Sequence, residues 1–127
     1  MKFLLDTHTF LWFIEDNSQL STKAKTLLES EASLFISVAS LWEMAIKISI
    51  SKLTLTQPFV TFVPDQLEKS AIDILPISVE HLALVATLAL HHRDPFDRLL
   101  VAQAILEALP IVSIDSKLDA YSIKRIW

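Results

Sequence analysis

The chain contains no cysteine and no glycine. Without cysteine there are no disulfides, thiolate zinc sites or thiol nucleophiles, so any metal must be held by oxygen or histidine. Without glycine, phosphate-cradling loops of the P-loop and dinucleotide-binding kinds cannot form, which excludes the nucleotide enzymes built on them. Turns must instead be made by Asn, Asp, Ser and Pro. Long apolar runs are also missing. The stretches His81 to Leu90 and Leu99 to Leu109 are too short, or are interrupted by Gln103 and Glu107, to supply the roughly 20 apolar residues of a membrane-spanning helix. The N-terminus carries one lysine, three apolar residues and then Asp6, which is not the pattern of a secretory signal. A cytoplasmic location with no membrane partner is expected. Positive charge is in deficit: 11 Lys and Arg face 15 Asp and Glu, a net charge of -4, so the surface as a whole does not attract nucleic acid.

Apolar residues, by contrast, are abundant, at 52% with a mean hydropathy of +0.45. A chain of 127 residues accommodates one domain, here residues 1–127, with a substantial core. The apolar surplus has two readings: an unusually buried core, or a surface that docks a partner or a second copy. The helices expected at Leu82 to Leu90 and Leu99 to Leu109 exceed what one small core needs, and this points to a homodimer.

Along the chain, short apolar runs alternate with helical patterns. Strands are expected at Phe3 to Leu5, Leu34 to Val38, Ile72 to Leu75, Ile111 to Ile114 and Ile123 to Ile126. Helices are expected at His8 to Ile14, from Ser21, from Ser40, and after Pro58, where Pro64 threatens to interrupt the turns. Ser78 with His81 three residues on opens a further helix, expected to be buried. The last begins with Asp94 as cap and Pro95 in the first helical position, and ends at Pro110. Near-continuous apolar strands joined by helices predict a parallel sheet covered on both faces, a three-layer α/β/α domain with a short central sheet.

In such a sheet Asp6 and Asp115, each directly after a strand, fall at the C-terminal edge, where open α/β sheets bind ligands. Glu43 and Asp97, in the first turns of helices, point to the same edge. Each has an ordinary explanation alone. Asp6 can cap a helix, Glu43 can pair with Lys47 four residues on, Asp97 can complement a helix dipole, and Asp115 can make a turn. Together, four like charges at one rim call for a divalent cation. Oxygen ligands suit Mg²⁺ or Mn²⁺, and such ions activate water for attack on phosphate esters without a protein nucleophile. Setting those four acids aside leaves the remaining surface near neutral, so an RNA substrate is compatible with the acidic balance.

Other residues near these acids read more plainly. Asp94 is fully explained as a cap, and adjacent His91 and His92 point in different directions on most backbones, so no histidine metal site is assigned. Arg93, Arg98, Lys47 and Lys117 flank the acids and could hold RNA phosphates, although scattered surface basic residues are the ordinary explanation; Lys47 and Arg98 are the two to test. His8 is close to Asp6 and could meet substrate, but a half-buried place in the first helix is the expectation. Trp12, Phe13 and Trp42 could stack on bases or pack an interface, but in a chain this apolar core packing is the expectation.

The segments Phe3 to His8, Ser37 to Glu43 with Lys47, His91 to Ala104 (HHRDPFDRLLVAQA), and Ile111 to Asp115 followed by Leu118, Tyr121, Ile126 and Trp127 resemble the four acid-bearing segments of PIN-domain nucleases. The likeness is to the toxin half of VapC-type toxin-antitoxin pairs in particular, and it runs nearly end to end. It implies a Mg²⁺-dependent endoribonuclease whose metal is held by Asp6, Glu43, Asp97 and Asp115, neutralised by a cognate antitoxin. The chain departs from the family by carrying Ser49 and Ser51 where a glycine is frequent near Lys52, and Ala89 where a proline is frequent. Alternatives are a PIN-like module that binds without cutting RNA, and a small-molecule phosphatase. Phosphatases with an aspartyl nucleophile want Asp-x-Asp, which Asp6-Thr7-His8 does not supply.

Overall fold

A computed structural model describes residues 1–127. It contains strands β1 (Lys2–Leu5), β2 (Ser33–Ser37), β3 (Ile72–Leu75), β4 (Ile111–Val112) and β5 (Arg125–Ile126). Helices are α1 (Thr7–Ile14), α2 (Thr22–Leu28), α3 (Val38–Ser49), α4 (Phe59–Lys69), α5 (Val79–Thr87) and α6 (Pro95–Glu107), with a 3₁₀ turn at Ser116–Ala120. All strands are parallel, in the order β3-β2-β1-β4-β5. Leu5 lies beside Ile36 on one flank and Val112 on the other, and Val112 lies beside Ile126, so these strands end together at one edge.

Alternation along β1 builds the two outer layers. Phe3 and Leu5 face a cluster with Phe10, Ala24, Ile36 and Met44, while Leu4 faces Leu100, Val101, Ala104 and Ile111 on the other side. Both faces of the sheet are therefore covered, and the expected three-layer α/β/α arrangement is present.

Several local expectations need correction. Helix α3 starts at Val38, directly after β2, because the Ser37 hydroxyl accepts the Ala39 N–H and caps it there. Pro64 does not interrupt α4, which runs through it at the loss of one backbone donor. Strands β4 and β5 are only two residues long. The Ser113 N–H still donates to the Ile126 carbonyl at 3.1 Å, and beyond it the chain turns away as the Ser113 hydroxyl accepts the Asp115 N–H.

Helix α5 is not the buried helix expected. It covers Val79–Thr87, and His81 is its one fully buried residue. The ring completes the capping box with Ser78, and its Nε2 lies 2.9 Å from Glu107 Oε1. Val79 and Leu82 are 78% and 52% exposed. Much of the apolar surplus thus lies on the surface, because hydropathy does not distinguish a core from a docking face.

The absence of glycine leaves a mark on the backbone. Asp16, Ser51, Ala71 and Ala108 have φ between 51° and 59°. Ser51 stands in the region where the related family often has glycine. Ala108 is the left-handed C-cap of α6, a position glycine takes without strain. Ala108→Gly is expected to stabilise the protein by about 1 kcal/mol, since the left-handed region costs alanine roughly that much. A thermal melt would show it as a rise in Tm.

Candidate functional site

Asp6 leaves β1 with extended backbone and caps α1, its Oδ1 accepting the Thr9 N–H at 2.8 Å. Its Oδ2 accepts from the Ser113 hydroxyl. The Thr9 hydroxyl donates to the Val112 carbonyl at 2.8 Å, which ties the start of α1 to the end of β4. Asp6 and Ser113 are both buried, so each carboxylate oxygen of Asp6 has a fixed partner.

Glu43 lies in the second turn of α3 and points back to this edge. Its Oε1 accepts from the Thr7 hydroxyl at 2.7 Å, and its Oε2 lies 3.3 Å from Lys47 Nζ. Asp97 sits in the first turn of α6, where the Asp94 carboxylate accepts the N–H groups of Phe96 and Asp97. Asp115 caps the 3₁₀ turn, accepting the Lys117 N–H at 3.0 Å.

The structure brings all four acids to the same rim, with a histidine between two of them. His92 Nε2 lies 2.8 Å from Asp115 Oδ2 and 3.2 Å from Asp97 Oδ2. One potential ligand atom from each of His92, Asp97 and Asp115 falls within 4.8 Å of the others. Asp6 and Glu43 are near enough to act on Asp97 through their charge.

The titration of two acids reports this environment. Burial and then the charge of Asp94 push the Asp97 carboxyl up to about 7; His92 pulls against them, and Asp6 and Glu43 add smaller upward pushes. Burial also pushes the Asp115 carboxyl up. There, however, the hydrogen bonds from His92 and the Lys117 N–H, with the charges of both residues, prevail and hold it below its ordinary value.

Neither basic residue singled out in the sequence stands free. Lys47 is paired with Glu43. The terminal nitrogens of Arg98 are turned onto the carbonyls of Val85 (3.3 Å), Leu88 (3.1 Å) and Ala89 (3.1 Å), with that of His92 at 3.5 Å. Arg98 therefore holds the end of α5 and the segment after it rather than presenting its guanidinium to a phosphate. His8 is exposed, not half-buried, and its ring centre is 5.6 Å from that of Trp12. Trp12 and Phe13 pack against the core as expected. Trp42 does not: it is 59% exposed and meets Phe96 edge-on at 5.3 Å.

Sequence reasoning missed His92, Ser113 and Thr7. Adjacent histidines do diverge, as expected, with His91 lying against the Tyr121 ring while His92 enters the site. One of the pair is enough. For Ser113 the available signal was a polar residue between an apolar strand and an acid.

The donors at this rim are carboxylate oxygens, which suit a hard divalent cation, and Lys47 is the one cation paired with them at Glu43. Besides burial, the charges of Asp94, Asp6 and Glu43 raise the Asp97 carboxyl, and a bound cation would offset those charges. By these tests the residues fit such an ion.

A doubly covered parallel sheet with acids gathered at its C-terminal edge defines a class of α/β domains with an acidic rim. Within that class, a model of the PIN domain family matches residues 3–124, and the chain belongs to this family. Among solved structures it is similar to a chain of VapBC2 from Rickettsia felis bound to a promoter DNA fragment, with a TM-score of 0.74 and 17% identity over 99% of this chain and 98% of that one. It is similar to a chain of FitAcB from Neisseria gonorrhoeae, with a TM-score of 0.70 and 18% identity over 100% and 97%. A third likeness is to the toxin-antitoxin system VapBC-5 from Mycobacterium tuberculosis, with a TM-score of 0.61 and 20% identity over 98% and 97%. These are likenesses of fold. No curated protein matches the chain.

Proposed function

We propose that the chain is a divalent-metal-dependent endoribonuclease acting as the toxin of a toxin-antitoxin pair in the cytoplasm, neutralised by a cognate antitoxin. The observation that carries this reading is the gathering of Asp6, Glu43, Asp97 and Asp115 at one sheet edge of a PIN domain. Mg²⁺, or Mn²⁺ in its place, would be held by these four carboxylates and supplies an activated water and a Lewis acid toward a phosphodiester. The chain's own work is placement. Ser113 and the Thr9 N–H hold Asp6, Thr7 holds Glu43, and the helix cap of Asp94 presents Asp97. Lys47, held at the rim beside Glu43, serves the substrate phosphate, a role the carbonyl-bound Arg98 does not share.

The test is cleavage of a mixed pool of structured RNA by antitoxin-free protein, with Mg²⁺ and with EDTA. Cleavage that EDTA abolishes is expected, and induction of the protein alone should arrest growth until the antitoxin is co-expressed. No cleavage of any RNA with either ion would overturn the reading.

A second copy of the chain is the occupant proposed for the apolar surface. Val38, Trp42 and Ile46 of α3, with Ile50 at its C-cap, recur every fourth residue and are exposed, as are Val79 and Leu82 of α5. An apolar cavity of about 250 Å³ opens among Trp42, Leu82, Val85, Pro95, Phe96 and Leu99. Leu82→Asp is expected to convert the dimer to a monomer in light scattering, since it would bury a charge in an apolar interface. A monomeric parent at tens of micromolar would refute the dimer.

A further inference from the structure

His92 lies close enough to Asp97 and Asp115 to be counted with them as a ligand, but the backbone decides otherwise. Its Nδ1 is 3.1 Å from the Asp94 nitrogen. A backbone N–H only donates, so Nδ1 is the acceptor and the ring proton sits on Nε2. That Nε2–H faces Asp115 Oδ2 at 2.8 Å and Asp97 Oδ2 at 3.2 Å, one proton shared by two carboxylates. To ligate a metal, Nε2 would have to give up its proton to Nδ1, which would set two donors against each other at Asp94.

The ring is also held from behind. The N–H groups of His91 and His92 both donate to the Tyr121 hydroxyl, at 3.0 and 2.9 Å, and that hydroxyl donates to the Ala89 carbonyl at 2.8 Å. Arg98 binds carbonyls on the same segment. The His92 side chain is 10% exposed, so water competes little for its hydrogen bonds.

We propose that His92 is a positioning residue: its Nε2–H ties Asp97 at the start of α6 to Asp115 after β4, and so sets two carboxylates from distant parts of the chain as one pair for a divalent cation. The inference rests on the metal reading above and deepens it, by placing His92 outside the ligands and assigning it the spacing of two of them. Partners of this kind typically change metal affinity by about 10- to 100-fold when removed.

Mn²⁺ affinity of the full chain, measured by calorimetry, and the pulsed electron paramagnetic resonance of the bound ion test it. His92→Ala should weaken Mn²⁺ binding by about 10- to 100-fold, and His92→Gln, whose amide nitrogen restores a donor near Nε2, should recover most of that loss. The parent's Mn²⁺ spectrum should carry no coupling to a histidine nitrogen. Circular dichroism of both variants establishes that they are folded, and the comparison rests on His92→Gln if His92→Ala is not. Unchanged affinity in folded His92→Ala, a glutamine variant no better than alanine, or nitrogen coupling that His92→Gln removes would each overturn the positioning role. A parent that binds no Mn²⁺ would instead withdraw the metal reading itself.

Discussion

Asp97→Asn should abolish RNA cleavage while leaving the protein folded, and at pH 8 without metal the variant should be at least as stable as the parent. The two halves of this result have one cause. Burial first, and then the charges of Asp94, Asp6 and Glu43, push the Asp97 carboxyl up to about 7. Ionised, it is a charge the fold tolerates poorly; as a carboxylate toward a cation, it is what the site requires. Asparagine keeps the shape and removes the charge. On the metal reading proposed above, it therefore deletes a ligand's charge and the electrostatic penalty together. A cation's stabilisation of a reacting phosphoryl group amounts to several kcal/mol, so a loss of roughly 10³-fold or more in rate is expected. The checks are cleavage of the same RNA pool and a thermal melt in EDTA at pH 8. Undiminished cleavage would remove Asp97 from the metal site, and a melt well below the parent's would show that its charge is compensated in the fold.

The four acids were legible because each stands at a position that topology carries to one edge. Asp6 and Asp115 follow apolar strands, and Glu43 and Asp97 lie in early turns of helices after the sheet's second strand and after Asp94-Pro95. Parallel order alone is enough to bring such positions together. What was not legible depends on side chains meeting across loops. His92 reaches the site only because Tyr121 and Arg98 fix the segment between α5 and α6, and nothing in the spacing of His91 and His92 says which ring turns inward. Arg98 looked like a phosphate ligand because it follows Asp97. Its carbonyl partners lie 6 to 13 residues earlier, a separation no local pattern reveals. Helix α5 failed for a different reason: an apolar stretch reads alike whether it faces its own core or a second molecule. The exposed faces of Val79 and Leu82 are a tertiary fact, as is Trp42 against Phe96 on the surface.

Stability of the metal-free protein should fall as pH rises from about 4 to about 7, and Mg²⁺ or Mn²⁺ should cancel that fall. Asp97 has its folded pKa raised from the ordinary 3.8 to about 7. Across that interval the folded state binds more protons than the unfolded state, so stability declines with rising pH and levels off above 7. Asp115 and Asp119 have the opposite sign. Their folded values are lowered, so their contributions are present above about 3.8 and disappear only in more acid solution. Lys25 and Arg125 are both raised, from values already far above the interval, and do not enter it. Between pH 5 and 8, then, Asp97 is the shifted acid that titrates. Metal binding needs it ionised and releases its proton, so affinity should rise by about tenfold per unit toward pH 7 and flatten above it. Melts at pH 5, 6, 7 and 8, with EDTA and with excess Mg²⁺, would show the metal's stabilisation growing with pH. Asp97→Asn should erase both the decline and its cancellation. A metal effect equal at pH 5 and pH 8 would mean that the ion is held by groups already ionised at pH 5, with Asp97 outside its shell.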